Sequence, residues 1–139
     1  MAAGSVGNPQ FTVKDGKLIR YPVAGATAIE KGSLVCLAPA GGGVVPANAT
    51  PGLVFIGVAD ESAENPAPVP GAVTVAVRKT GTFAFGKPMA ANADLGQVAW
   101  VQGPDSVAVS AEPGAVNAGY VCEIIGADQV RVRIDNAVR

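Results

Sequence analysis

Histidine is absent from the chain. That absence removes Ser-His-Asp and Cys-His nucleophile pairs, His-ligated zinc and the commonest general base near neutral pH. Cysteine is scarce: Cys36 and Cys122 are the two present, with no Cys-x-x-Cys spacing, so a four-cysteine metal site cannot be assembled. Both lie in apolar, strand-like runs and read as buried free thiols rather than a disulfide. Charge is sparse, with 10 basic against 11 acidic side chains and a formal net charge of −1. No basic stripe exists to neutralise phosphates, which argues against direct nucleic-acid binding. No apolar run reaches the roughly 18 residues of a membrane-spanning helix, so no membrane partner is expected. Residues 1–10 lack the basic stretch followed by an apolar one that marks a secretory signal, and assembly in a cytoplasm is the expectation. No cofactor or metal is expected, and the chain reads as a non-enzyme.

What the chain does have is small aliphatic side chains. It carries 25 Ala and 21 Val against 4 Phe, 2 Tyr and 1 Trp. Valine suits a pleated sheet because its branched Cβ packs well there. Alanine buries little area, so a core of this composition gains less per residue than one rich in Leu or Phe. An oligomeric interface would offset that shortfall; a modestly stable monomer is the alternative reading. At 139 residues the chain fits one domain.

With 18 Gly and 11 Pro, the sequence is cut into pieces too short for most helices. Brief Val-rich runs between turn residues predict an all-β fold: a single-domain β-sandwich or barrel, jelly-roll-like, of short antiparallel strands with at most one short helix. Residues 1–10 read as an extended N-terminal arm and 11–139 as the β domain. Phe11 to Val13, a turn through Asp15-Gly16 and Leu18 to Val23 read as a hairpin. Residues 54–59 form an apolar run predicted to be buried on both faces. Val73, Val75 and Val77 alternate with Thr74, Ala76 and Arg78, and Phe83 and Phe85 alternate with Thr82 and Ala84. Residues 87–95 contain Met89-Ala90-Ala91 and predict a short helix. Two hairpins close the chain, one turning through residues 102–105 and one through 126–129. In the final strand Val130, Val132 and Ile134 are predicted to face in, with Arg131 and Arg133 out. Residues 60–71 carry three carboxylates and then Pro66, Pro68 and Pro70, which cannot donate ladder hydrogen bonds, so the segment reads as an exposed loop.

The search for chemistry returns little. Asp60, Glu61 and Glu64 would suit a hard cation, but the spacing of a loop calcium site is missing, so they read as a solvated acidic loop. Gly41-Gly42-Gly43 lacks the Lys-Ser/Thr of a phosphate-binding loop and reads as a turn. Lys79, beside Thr80, lacks in sequence the burial or neighbouring charge that makes an amine catalytic. Trp100, in a strand with Val98 and Val101, reads as a core or interface anchor.

Several elements occur in a telling order: Tyr21-Pro-Val, Ile29-x-x-Gly32-x-Leu34-Val35, Phe55-Ile-Gly57-Val-Ala59 and Glu64-Asn65. Gly71-Ala-Val73-Thr-Val75, Arg78, Gly81-Thr-Phe83-Ala-Phe85, Leu95-Gly96-x-Val98 and Val107-x-Val109 follow, then Ala118-Gly119-Tyr120-Val121 and Val130-Arg-Val132. In this order and spacing the chain resembles the head-decoration, or cement, proteins of tailed bacteriophages. The resemblance implies a virion protein on the outer capsid surface that binds the major capsid protein and itself, as a homotrimer in preference to a homodimer, and stabilises subunit contacts. Candidate capsid or oligomer contacts are Met1, Val6, Pro9 and Phe11 in and beside the arm, Asp60, Glu61, Glu64 and Asn65 in the acidic loop, and Trp100. The competing reading is a carbohydrate- or host-surface-binding β-sandwich module, which requires exposed aromatic side chains; Tyr21, Trp100 and Tyr120 are the candidates.

Overall fold

A computed structural model describes residues 16–110 and 115–135 of the chain. It is all-β, as the Val-rich alternation predicts, and takes the form of a sheet joined to a small barrel. The sheet runs β1 (Leu18–Pro22), β7 (Thr74–Arg78), β5 (Val54–Ala59), β3 (Leu34–Leu37) and β4 (Val44–Pro46) from edge to edge, with every neighbour antiparallel. The barrel closes in the order β10 (Ser106–Ala108), β8 (Thr80–Gly86), β12 (Gln129–Asp135), β11 (Asn117–Gly126) and β9 (Val98–Gly103). One parallel step, Ser106 opposite Gly86, lets β10 meet β8; the other barrel pairings are antiparallel. A two-stranded ribbon of β2 (Thr27–Ile29) and β6 (Ala63–Asn65) covers the outer side of the sheet.

The pleat divides the sheet's side chains between two cores. Leu34, Cys36, Phe55 and Val58 face the barrel and join Phe85, Val101, Val107, Val121, Val130, Val132 and Ile134 in one cluster. Val35, Ile56, Ala59, Val75 and Val77 face the other way, against Val23, Val44 and Ile29 of the ribbon. Of the run 54–59 expected to be buried on both faces, residues 55–59 are, whereas Val54 at the strand's start is exposed. The strict alternation is broken within β5, putting Phe55 and Val58 on one face and Ile56 and Ala59 on the other, because β5 bulges against β3, where Val35 pairs with Gly57 and Cys36 with Phe55. Gly57 is required there: a Cβ would lie 2.2 Å from the carbonyl oxygen of Arg78.

Sheet and barrel are joined by a single residue, Lys79, between β7 and β8. At the outer edge, Lys79 N–H bonds the Lys17 carbonyl and Val23 N–H the Val73 carbonyl, so alternate β1 residues turn their backbone away from β7. Pro22 occupies one of these outward positions and, lacking an N–H, blunts the edge.

Three expectations need correction. Residues 87–95 form no α-helix; the stretch is irregular apart from a 3-10 turn at Asn92–Asp94, because Met89 sits at φ 56. Residues 60–71 are not simply an exposed loop, since β6 pairs with β2 inside them. Cys36 is buried but Cys122 is exposed, on the outward side of β11. The hairpin read for Phe11 to Val23 lies partly outside the described residues. Among the described residues, no helix is long and apolar enough to cross a membrane.

Candidate functional site

The acidic segment is spent on the fold. Asp60 pairs with Arg78 at 2.9 Å and Glu61 with Arg20 at 3.0 Å, tying the segment to the exposed sides of β7 and β1. Glu61 Oε2 also accepts the Ala76 N–H at 3.2 Å. Both pairs are part-exposed, and such pairs contribute about 0–1 kcal/mol each. Glu64 points to solvent from β6, opposite Ala28. No group of three or more carboxylate or thiol ligands that could hold a metal occurs among the described residues.

Asn65, read from sequence as a surface contact, is wholly buried and is corrected to a structural clamp. Its Nδ2 donates to the carbonyls of Val23, Ala24 and Val69 at 3.1, 3.1 and 3.0 Å, and its Oδ1 accepts the Ala67 N–H at 3.0 Å. A buried amide with all its partners is stable there, whereas an unpaired one would be costly. The clamp holds residues 66–70 against the turn before β2, where Ala26 N–H meets the Ala67 carbonyl at 2.8 Å. Met1, Val6, Pro9 and Phe11 lie outside the described residues.

Trp100 lands on the barrel's outer face. Ala99 and Val101, its neighbours on β9, point into the core, which turns Val98, Trp100 and Gln102 outward. Across β9, Val98 pairs with Tyr120 of β11, and Trp100 lies between Asn117 of β11 and Ala108 of β10. Side chains diagonal across neighbouring strands come within reach of long aromatics, so Trp100 and Tyr120 share one patch. Tyr120 is 55% exposed, while Trp100 and Val98 are half-buried. Their neighbours on the strands include the small residues Ala108 and Gly119. Gly119 itself is enforced: its φ is +139, and a Cβ would meet the Arg133 carbonyl oxygen at 2.1 Å. The outward positions Val98, Trp100, Gln102 and Ala108 carry no charge, while Arg133 of β12 stands directly opposite Tyr120 and edges the patch. Sequence thus brought Trp100 and Tyr120 forward separately, and the β9–β11 register brings them together.

Two polar groups were missed. Lys79 is buried, at 3% exposure, against the sequence expectation. Its amine donates to the Tyr21 hydroxyl at 2.9 Å and lies 5.0 Å from the ring centroid. Those two distances put the nitrogen beyond the hydroxyl edge rather than over the ring face, so the hydrogen bond is the contact that counts. The lysine stem is buried at the point where the chain passes from sheet to barrel. The second group is Lys87 with Asp94, paired at 3.0 Å with side chains only 11% and 12% exposed. Asp94 also accepts the Ala91 N–H at 3.0 Å, and this bond first, then Lys87, holds its carboxyl below the usual range.

The thiols differ in reactivity. Burial pushes Cys36 up to about 12, which keeps it protonated, whereas Cys122 is exposed with Sγ 3.4 Å from the Arg131 carbonyl. No protein-family model, no curated protein and no solved structure matches this chain, so its function is argued from its own residues and geometry.

Proposed function

We propose that the chain is a structural decoration protein of a tailed-phage head, docking on the outer capsid surface and bridging major capsid subunits. The observation that carries the docking is the aromatic strip on the barrel's outer face, where Val98, Trp100 and Tyr120 stand on adjacent strands with Tyr120 more than half exposed and Arg133 beside it. Aromatic side chains presented by a rigid sheet, with small neighbours around them, are the anchors of protein interfaces. The capsid as partner comes from the ordered elements described above. Their placement is in keeping with the reading: Phe55 to Ala59, Val73 to Val75, Gly81 to Phe85, Val107, Tyr120-Val121 and Val130 to Val132 fall on or beside strands β5, β7, β8, β10, β11 and β12. A clamp that touches several subunits gains by multivalency, since each further contact forms at high effective concentration. Protein quantitation in purified mature heads tests the proposal: copies in fixed ratio to the major capsid subunit are expected, and absence from the particles removes it.

The same face favours one other reading, because an exposed Tyr120 with Trp100 on the neighbouring strand is the kind of aromatic surface on which a sugar could stack. Glycan binding that is lost in Trp100→Ala, from a chain that does not bind heads, would select the carbohydrate module instead.

A further inference from the structure

At the barrel end near Pro88, a projection and a hollow lie side by side. The projection is Met89, 85% exposed, the most exposed large apolar side chain among the described residues. Its backbone is at φ 56, a conformation that side-chain-bearing residues rarely adopt and that persists only when the surroundings impose it. Here they do. Lys87 Nζ donates to the Pro88 and Met89 carbonyls at 3.1 and 3.4 Å while paired with Asp94 at 3.0 Å. On either side, Lys87 N–H bonds the Asp128 carbonyl at 3.0 Å and Ala90 N–H the Ala127 carbonyl at 2.7 Å. The segment is thus tied at its base to the β11–β12 turn, with an ion pair spent on fixing one apolar side chain in water. Methionine is unbranched and polarizable, and fills irregular hollows well.

The hollow holds about 360 Å³ and is lined by Lys87, Pro88, Gln102 and residues 107–110. Val107 forms its wholly buried floor, and Val109 packs against the barrel core. Its one charged lining residue, Lys87, is already neutralised by Asp94, so an apolar side chain can enter without stranding a charge. Lys87 and Pro88 belong to both the hollow's wall and the base of the projection. A projection adjoining a hollow on one face is self-complementary under twofold rotation, because each copy's projection meets the other's hollow.

We propose that two copies of this chain pair about a twofold axis at this end of the barrel, each seating Met89 in the hollow of the other. A socket on some other protein would leave the chain's own hollow unfilled beside the projection; the twofold pair fills both. The pairing departs from the trimer that the resemblance favours. It also brings two aromatic faces onto one platform, since Ala108 in the hollow's lining is the cross-strand partner of Trp100.

The test uses the full chain in solution, without heads. The native mass of the wild type is expected at twice the 13.8 kDa of one chain, with Met89→Leu unchanged and Met89→Asp at one chain. Because Met89 is exposed, the Asp variant keeps its far-ultraviolet circular dichroism, which separates lost pairing from lost folding. A second arm places Met89→Cys and Val109→Cys in separate chains, each with Cys122→Ser, and oxidises them with copper phenanthroline. The mixture is expected to give several-fold more covalent dimer than either chain alone. A threefold mass, a single-chain mass for the wild type, or no excess of cross-link in the mixture overturns the pairing. A single-chain wild type whose head binding is lost in Met89→Asp would reassign Met89 to a head contact, overturning the pairing while leaving head docking intact.

Discussion

Replacing Asn65 by alanine removes the clamp beneath the Pro66–Pro70 turn while leaving every apolar core residue in place. The Val23 carbonyl keeps a second donor, Gly71 N–H at 3.3 Å, but the Ala24 and Val69 carbonyls and the Ala67 N–H lose the partner that Asn65 supplies. Each lost hydrogen bond is worth about 1 kcal/mol net, and more where the stranded group stays dry, so a loss of about 3 kcal/mol is expected. For a domain of this size that corresponds to a Tm lower by roughly 10 °C. Asn65→Asp is nearly isosteric yet turns the donor edge into an oxygen facing three carbonyl oxygens. Burial and those oxygens raise the aspartate's folded-state pKa above its unfolded value of about 3.9. The added charge penalty is therefore absent below about pH 3.9 and grows as pH rises from there through the raised folded value. Thermal unfolding followed by circular dichroism at pH 3.5 and 7 checks both variants. A Tm for Asn65→Ala within about 2 °C of wild type, or an Asp variant no worse than Ala at pH 7, would refute the reasoning.

Gly119→Ala should cost on the order of 3 kcal/mol or fail to fold, because its Cβ collides with the Arg133 carbonyl. Gly126→Ala, with nothing within 4 Å, should stay within about 0.5 kcal/mol in the same denaturant titration; equal effects would contradict the close approach. Maleimide at pH 8 should modify Cys122 rapidly and Cys36 only on unfolding, since the buried thiol is pushed up to about 12; equal labelling rates would show the burial to be wrong. Asp94, with its pKa lowered on folding, contributes stability that is present above its unfolded value of about 3.9 and lost as pH falls below it toward the folded value. Asp94→Asn should therefore lower Tm at pH 7 and have less effect at pH 2.5, and a pH-independent difference would exclude the ion pair with Lys87 as its source.

Local patterns in the sequence reported local structure well. The alternation of Val130, Val132 and Ile134 with two arginines, followed back through the Asp128 turn, matches the β11–β12 hairpin. The β9–β10 hairpin was legible in the same way. Contacts between distant segments were not. Asn65 sits among charged residues and prolines, and only its meeting with Val23 and Ala24, some forty positions earlier, makes it a core residue. Lys79 reads as an ordinary lysine until the one-residue step from β7 to β8 carries it inside. The alanines around Met89 favour a helix, but hydrogen bonds from the β11–β12 turn and from Lys87 impose a left-handed Met89 instead. Cys122 lies in an apolar run, yet β11 bulges between Val121 and Glu123, so Cys122 and Glu123 both reach solvent. The candidate face was half legible: each aromatic stands out alone, and the β9–β11 register that joins them leaves no mark in either strand.

Head docking through the barrel's aromatic face is tested most directly by co-sedimentation with empty heads. The wild-type chain should pellet with them to saturation, while Trp100→Ala/Tyr120→Ala, with an unchanged melting transition, should stay in the supernatant. A wild-type chain that never pellets, or a double variant that pellets as well as wild type, would contradict it.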